Sequence, residues 1–248
     1  MKLTLAEPKY LKDSISIISE LITEARFTVT KQSMKMIAMD PANVAMVVFE
    51  LFSSSFTEYQ IKEDTDFSIN LNYFKQILKR TGGSDSVTLE LEKNKLNITL
   101  KGKSKRTFSM AVLDADEREQ KVPNLQFTVT IKGPCEILND VVEDASVINA
   151  DSVSFITTDK KSTFIAESDL NKVDIELKAD KDVKIANDTD EAVKAKYSIE
   201  YLKKMVSGSK ITEDVTIQYG KDYPLKLSFV AVDKVNIEFI LAPRVEND

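Results

Sequence analysis

The sequence predicts an α+β protein built twice, each half pairing amphipathic helices with antiparallel strands. Three observations carry that reading. The stretch LNYFKQILKRTGGSDSVTLEL at Leu71–Leu91 returns, shifted by 128 positions and without a gap, as IEYLKKMVSGSKITEDVTIQY at Ile199–Tyr219. In both copies apolar residues recur at helical spacing (Leu71, Phe74, Ile77, Leu78 and Ile199, Leu202, Met205, Val206), then give way to an alternating run, so a helix with one apolar stripe is followed by a strand. A charge-rich, apolar-poor segment, DADEREQKVP at Asp114–Pro123, separates the copies and reads as a linker. A period near half of 248 residues means two copies of a domain, not a solenoid of short units. The predicted limits are 1–113 and 124–248, with 114–123 as connector.

Along the first half, Met1–Leu5 alternates as a short strand, and Pro8 precedes a helix over Tyr10–Thr23 with the stripe Leu11, Ile15, Ile18, Ile22. Strands follow at Arg26–Thr30, Met34–Met39 and Val44–Leu51, with Asp40-Pro41-Ala42-Asn43 as a turn. The next strand, Asp66–Leu71, runs into the repeated helix, and Val87–Leu91, Leu96–Lys101 and Arg106–Leu113 complete the half. The second half begins again with a strand at Leu125–Ile131. Gly133-Pro134 opens a helix to Val147 that turns Ile137 or Leu138, Val141 and Ala145 inward. Strands follow at Val153–Thr157, Thr163–Ala166 and Val173–Leu177. The acidic stretch Asp180–Glu191 reads as a loop, with Val183–Ile185 as a short strand within it. After the repeated helix, strands close the chain at Val215–Tyr219, Leu225–Val230 and Val235–Leu241.

Composition removes several classes of chemistry. With no histidine and Cys135 as the only cysteine, there is no Ser-His-Asp or Cys-His nucleophile system, no His/Cys zinc site and no intrachain disulfide. No apolar run reaches membrane length, and no signal peptide is expected. Gly102-Lys103-Ser104 lacks the glycine five positions earlier that a phosphate-binding loop needs, Asn97 standing there, and a strand follows it instead of a helix. It reads as a hairpin turn. The net charge of -6 argues against indiscriminate coating of nucleic acid. Yet Lys75, Lys79 and Arg80 occupy the free face of one repeated helix, and Lys203 and Lys204 that of the other. Charge is therefore segregated, with a shared basic surface on the helices.

Four stretches resemble, in order, those of the replication sliding clamp family, proliferating cell nuclear antigen, in its archaeal and eukaryotic form. Ala38–Met46 (AMDPANVAM) is similar to the family's MDPSHVALV, and Asp66–Arg80 (DFSINLNYFKQILKR) to GVNLTSMSKILK. Asp116–Pro123 ends like the interdomain connector, and Phe239–Glu246 (FILAPRVE) resembles the C-terminal YLAPKIE. The resemblance implies two clamp domains per chain, with three chains closing into a ring that has helices inside and sheets outside. Such a ring encircles duplex DNA without sequence preference, without catalysis and without cofactors. It serves as processivity factor and as docking platform for DNA polymerase, clamp loader, flap endonuclease and DNA ligase through short peptides. In an archaeon its home is the cytoplasm, associated with the nucleoid; in a eukaryote it is the nucleus.

Residue by residue, Lys12 and Lys79 match the family's DNA-facing basic positions, and Lys75, Arg80, Lys203 and Lys204 join them from helical geometry. Asn139, Asp140 and Glu143 stand where the family's third helix carries arginines, and Glu200 occupies another usually basic position. The partner-peptide pocket corresponds to Met39, Val44, Met46, Val122, Pro224, Ile240, Ala242 and Pro243. Gln120 replaces an apolar connector residue there. Subunits are expected to join edge strand to edge strand, Thr107–Val112 against Lys172–Leu177, through Phe108, Met110, Val173 and Ile175. Two alternatives compete. One is a clamp-like regulator, or one subunit of a heterotrimer, that forms no DNA-encircling ring alone. The other is a metal-dependent nuclease using Asp40, Asp64, Asp66 or Asp85.

Overall fold

Alternating apolar residues become strands here because each strand buries one face, and the helices form where the apolar spacing turns to three and four. The computed structural model describes residues 1–114, 120–159 and 161–244. Connector residues 115–119 and Val245 and Glu246 of the C-terminal stretch lie outside the described residues. Contacts divide the chain into two compact units. One comprises Met1–Pro41, Val47–Val122 and Ala231–Ile237; the other comprises Ala42–Met46, Pro123–Val230 and Glu238–Asp248. The main break near residue 122 falls in the expected connector, but each unit also includes a short segment from the other half of the sequence.

The first unit contains β1 (Lys2–Leu5), α1 (Lys9–Ile18), β2 (Glu24–Val29), β3 (Ser33–Met39), most of β4 (Ala45–Phe52), β5 (Glu58–Gln60), β6 (Thr65–Asn70), α2 (Leu71–Lys79), β7 (Ser86–Glu92), β8 (Lys95–Lys101) and β9 (Lys105–Ala111). One antiparallel sheet runs β5-β1-β7-β8-β9. Its register aligns Leu3 with Leu89, Leu89 with Ile98, and Ile98 with Phe108. The first three are buried and form an apolar row across the sheet. In the other strands β2 lies between β3 and β6, and Phe27 stacks on Phe67 at 5.5 Å and meets Phe49 edge-on at 6.3 Å. Leu11, Ile15 and Ile18 of α1 and Leu71, Phe74, Ile77 and Leu78 of α2 are buried. Each such side chain contributes about 1.5–3 kcal/mol of burial.

The second unit contains β10 (Val129–Pro134), α3 (Cys135–Val147), β11 (Ser152–Thr158), β12 (Lys161–Glu167), β13 (Lys172–Lys178), β14 (Lys184–Asn187), β15 (Val193–Ser198), α4 (Ile199–Met205), β16 (Asp214–Tyr219), β17 (Leu225–Ala231) and the end of β18 (Val235–Leu241). Its strands run β13-β12-β11-β15 in one sheet and β14-β10-β16-β17 in the other. Between them Phe155 meets Phe164, Tyr197 and Tyr219 edge-on at 4.8, 5.2 and 5.7 Å. The buried tyrosine hydroxyls are satisfied: Tyr219 and Thr157 share a hydrogen bond of 2.5 Å, and Tyr197 donates to the Tyr223 carbonyl at 2.7 Å. A Cβ at Gly208 would lie 2.4 Å from the Phe229 ring, so glycine is what admits that ring against the helix end.

Several boundaries differ from the sequence expectation. Helix α1 stops at Ile18 and the chain continues in turns to Ile22, still burying Leu21 and Ile22. The strand expected from Leu125 begins at Val129, because its pairing with β14 and β16 starts there. Strand β15 has no counterpart among the strands that the sequence predicts. Its alternation, Val193, Ala195 and Tyr197 inward, is masked by the acidic run before it. Helix α4 ends at Met205 and tightens into a 3-10 turn over Val206–Lys210, and β5, with only three residues, is too short to show a period in the sequence.

Candidate DNA-facing helices and docking surfaces

The two repeated helices present their polar faces differently. In α2 the Asn70 side chain caps the first turn, accepting from the Tyr73 amide at 3.0 Å. The exposed arc consists of Asn72, Tyr73, Gln76, Lys79 and, just past the helix, Arg80. Lys79 stands in the last turn, where the helix dipole favours a cation. Lys75 departs from expectation. Its side chain is only 16% exposed and its ammonium lies 2.5 Å from the Glu20 carboxylate, so it serves chiefly to tie α2 to the turn after α1. Lys12, on α1, is half-buried.

In α4, Lys203 is exposed, whereas Lys204 is engaged twice. It bonds Glu200 at 3.2 Å, four residues earlier, and lies 5.4 Å from the centre of the Tyr201 ring. Helix α3 carries the opposite sign: Glu136, Asp140, Glu143 and Asp144 are exposed and its last turn has no basic residue. Leu138, Val141, Val142 and Ala145 are its buried stripe, which leaves Ile137 half-buried. At its start Cys135 is buried, and burial, followed by the nearby Asp214 carboxylate, pushes the thiol up to about 11. The thiol is inert at neutral pH.

The expected pocket residues are partly gathered in the second unit. Asn43 adopts the left-handed conformation, φ 56°, which asparagine tolerates, and turns the chain into Val44. The Val44 carbonyl then accepts from the Ala242 amide at 2.9 Å, and the Arg244 amide donates to Lys196 at 2.7 Å. The C-terminal segment is thereby held as an extended strip. Val44, Ala242, Pro243 and Pro224 are half-buried, and Met46 and Ile240 are buried. Met39 and Val122 fall in the other unit, the first half-buried and the second exposed.

Both strands expected to join subunits lie at sheet edges: among the described residues β9 has β8 alone as neighbour and β13 has β12 alone. Phe108 on β9 and Val173 and Ile175 on β13 are half-buried apolar residues at these edges. Met110 is buried and belongs to the core side of β9. Strand β13 guards its outer face with charge. Lys161 and Lys178 both pair with Glu176, at 2.5 and 3.1 Å, and hold its carboxyl below the usual range. Glu167, then Asp174, raises Lys172.

Of the four acids of the nuclease alternative, Asp64 is exposed and the other three have structural surroundings. Burial alone would raise the Asp66 carboxyl, but hydrogen bonds from Arg26 at 2.9 Å and Thr28 at 2.5 Å outweigh it and lower it. Asp85 is held by Arg106 at 2.6 Å and the Gly82 amide at 3.0 Å, and Asp40 is buried. Among the described residues no group of three or more His, Cys, Asp or Glu is arranged for a metal. No described helix is long and apolar enough to cross a membrane.

A chain that builds the same helix-and-sheet unit twice, with polar helix faces and open sheet edges, is of the two-domain clamp class of scaffold. Family models for the N-terminal and C-terminal domains of proliferating cell nuclear antigen match residues 1–119 and 121–244. The chain belongs to the proliferating cell nuclear antigen family, which is a family of non-catalytic scaffolds. It is 36% identical over 240 residues to the DNA polymerase sliding clamp of Thermococcus fumicolans, covering 96% of each chain. With the one from Nanoarchaeum equitans it shares 34% over 248 residues, 98% of this chain and 99% of that one. The crystal structure of the Thermococcus kodakaraensis antigen superposes with a TM-score of 0.90 at 25% identity, covering 98% and 99% of the two chains.

Proposed function

We propose that this chain is a sliding clamp subunit: three copies close head to tail, β9 of one against β13 of the next, into a ring that encircles duplex DNA. The ring acts as processivity factor for DNA polymerase and as a landing platform for the clamp loader, flap endonuclease and DNA ligase. The observation that carries this reading is the full-length family match, joined by basic residues recurring on the free faces of both repeated helices. Lys79, Arg80 and Lys203 are the DNA contacts best placed to act, with Lys12 beside them and Lys75 and Lys204 restrained by their carboxylates. The domain limits are 1–113 and 124–248, and the working place in an archaeal cell is the cytoplasm, with the chromosome.

The docking site for partner peptides is the strip around Val44, Met46, Ile240, Ala242 and Pro243, with Pro224 in the same unit. Met46 there suits a surface that adapts to several partners. The acidic face of α3 favours a second reading, that the chain is one member of a mixed ring whose other members supply the missing cations. Native mass decides between them. A homotrimer has three times 27.9 kDa, or 83.7 kDa, and must be retained after loading on nicked circular DNA and lost when that DNA is linearised. A chain that stays at 27.9 kDa and trimerises only with other clamp chains supports the mixed ring.

A further inference from the structure

We propose that the solvent side of the β14-β10-β16-β17 sheet carries a second docking site, one that takes an acidic, extended peptide segment of a partner protein. The inference goes beyond the clamp reading: it concerns the second unit alone and shares no residue with the strip around Val44 and Pro243. A cavity of about 570 Å³ opens there, with Lys132, Lys181, Lys184, Thr216, Ser228 and Val230 among its lining, a size at which ligand sites are usual. The strand register explains why cations gather. Lys132 of β10 stands directly opposite Lys184 of β14 and, on its other side, Thr216 of β16, which in turn faces Ser228 of β17. Ile131 and Gly133 are buried and Lys132 is exposed, so this row points away from the core. Lys181, exposed in the turn before β14, adds a third cation.

Two lysines directly opposite one another cost stability. Among the described residues neither Lys132 nor Lys184 has an ion pair, and Lys181 meets Asp182 only at 3.6 Å on the open surface. Elsewhere on the same sheet the chain does neutralise its cations, Lys226 lying 3.5 Å from Glu238. A lysine on an edge strand guards against stray pairing. That accounts for Lys184, but Lys132 lies on a strand with a neighbour on each side and guards nothing. The two facing charges are therefore left for an anion from outside the chain.

The rest of the lining says which anion. Asp182 and Asp214 also border the cavity, so a compact polyphosphate would bring its charge against them. An extended chain can set carboxylates over the lysines and neutral residues beside the aspartates. The four strands span about 14 Å, and side chains two residues apart in an extended peptide face the same way about 6.6 Å apart. Carboxylates at i and i+2 thus reach Lys184 and Lys132, and an aliphatic side chain at i+4 reaches Val230, which is apolar and 46% exposed.

The test measures fluorescence anisotropy of a labelled Glu-Ser-Glu-Ser-Val-Ser peptide titrated with the full-length chain, for wild type, K132M/K184M and K93M/K95M. The same peptide with Gln for Glu is run alongside, and tripolyphosphate serves as competitor. Methionine keeps much of the lysine stem and removes the charge; Lys93 and Lys95 are exposed lysines of the first unit. Saturable binding is expected in wild type and not with the Gln peptide. K132M/K184M is expected to weaken it roughly threefold to tenfold, and K93M/K95M to leave it unchanged. The K132M/K184M melting temperature is expected at or above that of wild type, since two facing like charges are gone; a clear loss would mean that the lysines hold the fold, and overturns the assignment. Absence of saturable binding, or equal weakening by K93M/K95M, overturns it as well. Tripolyphosphate that binds more tightly than the peptide and loses affinity in K132M/K184M makes the cavity a phosphate site and overturns the peptide assignment. The clamp reading is tested separately, by native mass and retention on nicked circles, so its failure and this one are distinguishable.

Discussion

Replacing Arg106 by Met tests how the edge strand β9 is fastened to its sheet. The Arg106 guanidinium bonds the Asp85 carboxylate at 2.6 Å, and the Gly82 amide bonds the same oxygen at 3.0 Å. Asp85 is 7% exposed, and a Cβ at Gly102 would lie 1.8 Å from its other oxygen, so the carboxylate is packed against backbone with no room to turn to water. Methionine keeps most of the Arg106 stem and strips away the charge. A buried acid that loses its cation costs about 3–5 kcal/mol. The Arg106 side chain is itself 35% exposed, so water already screens part of the attraction and the expected loss is about 2 kcal/mol. For a unit of this size that is roughly 6–10 °C in melting temperature. The assay is urea unfolding at fixed protein concentration, since assembly would otherwise alter apparent stability, with D85N and D85N/R106M completing a double-mutant cycle. The double variant, which leaves no unpaired buried charge, is expected to recover about half of the loss. An R106M protein within about 0.5 kcal/mol of wild type, or a cycle with no coupling, refutes the reasoning.

Stability is expected to fall in alkali. Burial raises Tyr219 to about 12 against an ordinary 10, even though the Thr157 hydrogen bond opposes it, and Cys135 rises to about 11 against 9. The unfolded chain therefore releases these protons first, and stability declines through pH 9–12, which pH-dependent urea titrations would register as a midpoint shift reduced in Y219F. Reversing charge on α3 with D140K/E143K is expected to tighten duplex binding and steepen its salt dependence by about 0.9 for each phosphate gained, measured by anisotropy. Unchanged binding would mean that this helix face never approaches DNA. F108D on β9 is expected to shift native mass from 83.7 kDa for three chains to 27.9 kDa, and I175D on β13 should do the same. A trimer in either variant would locate the subunit contact elsewhere.

The architecture was legible in the sequence because the repeat is ungapped where it matters. The apolar stripe of α2 and the stripe of α4 are each laid down by residues that the core then buries, and strand alternation survives in β7, β8 and β16. What escaped notice is short or overruled by context. Strand β15 follows an acidic run whose composition resembles a loop, yet Tyr197 supplies a ring and hydroxyl to the core of the second unit. The beginning of β10 is set by its neighbours' pairing, which periodicity within one strand cannot reveal. At the candidate site, helical spacing correctly separated polar from apolar faces, but it could not tell a free cation from one already bound. Lys75 and Lys79 lie four residues apart and look equivalent in sequence; only the turn after α1, which delivers Glu20, distinguishes them. Met110 shows the same limit at a sheet edge: it shares a face of β9 with Phe108, and alternation cannot tell which of the two the core covers.

These internal pairings bear directly on how a clamp must work. Tight phosphate binding would make every step along DNA cost free energy, because each lysine that engages a phosphate must later let go of it. A ring held by topology has no need of such affinity, and the chain is built accordingly: a net charge of -6 overall, two of the lysines on its repeated helices tied to glutamates, and an acidic face on α3. On the proposed reading, the cations left exposed, Lys79, Arg80 and Lys203, would centre a duplex by weak and exchangeable contacts. On the same reading, specificity would reside in the sheet edges proposed to meet another copy of the chain and in the methionine-bearing strip proposed to take peptides. Separating a weak surface from specific ones would allow one molecule both to slide and to hold its partners.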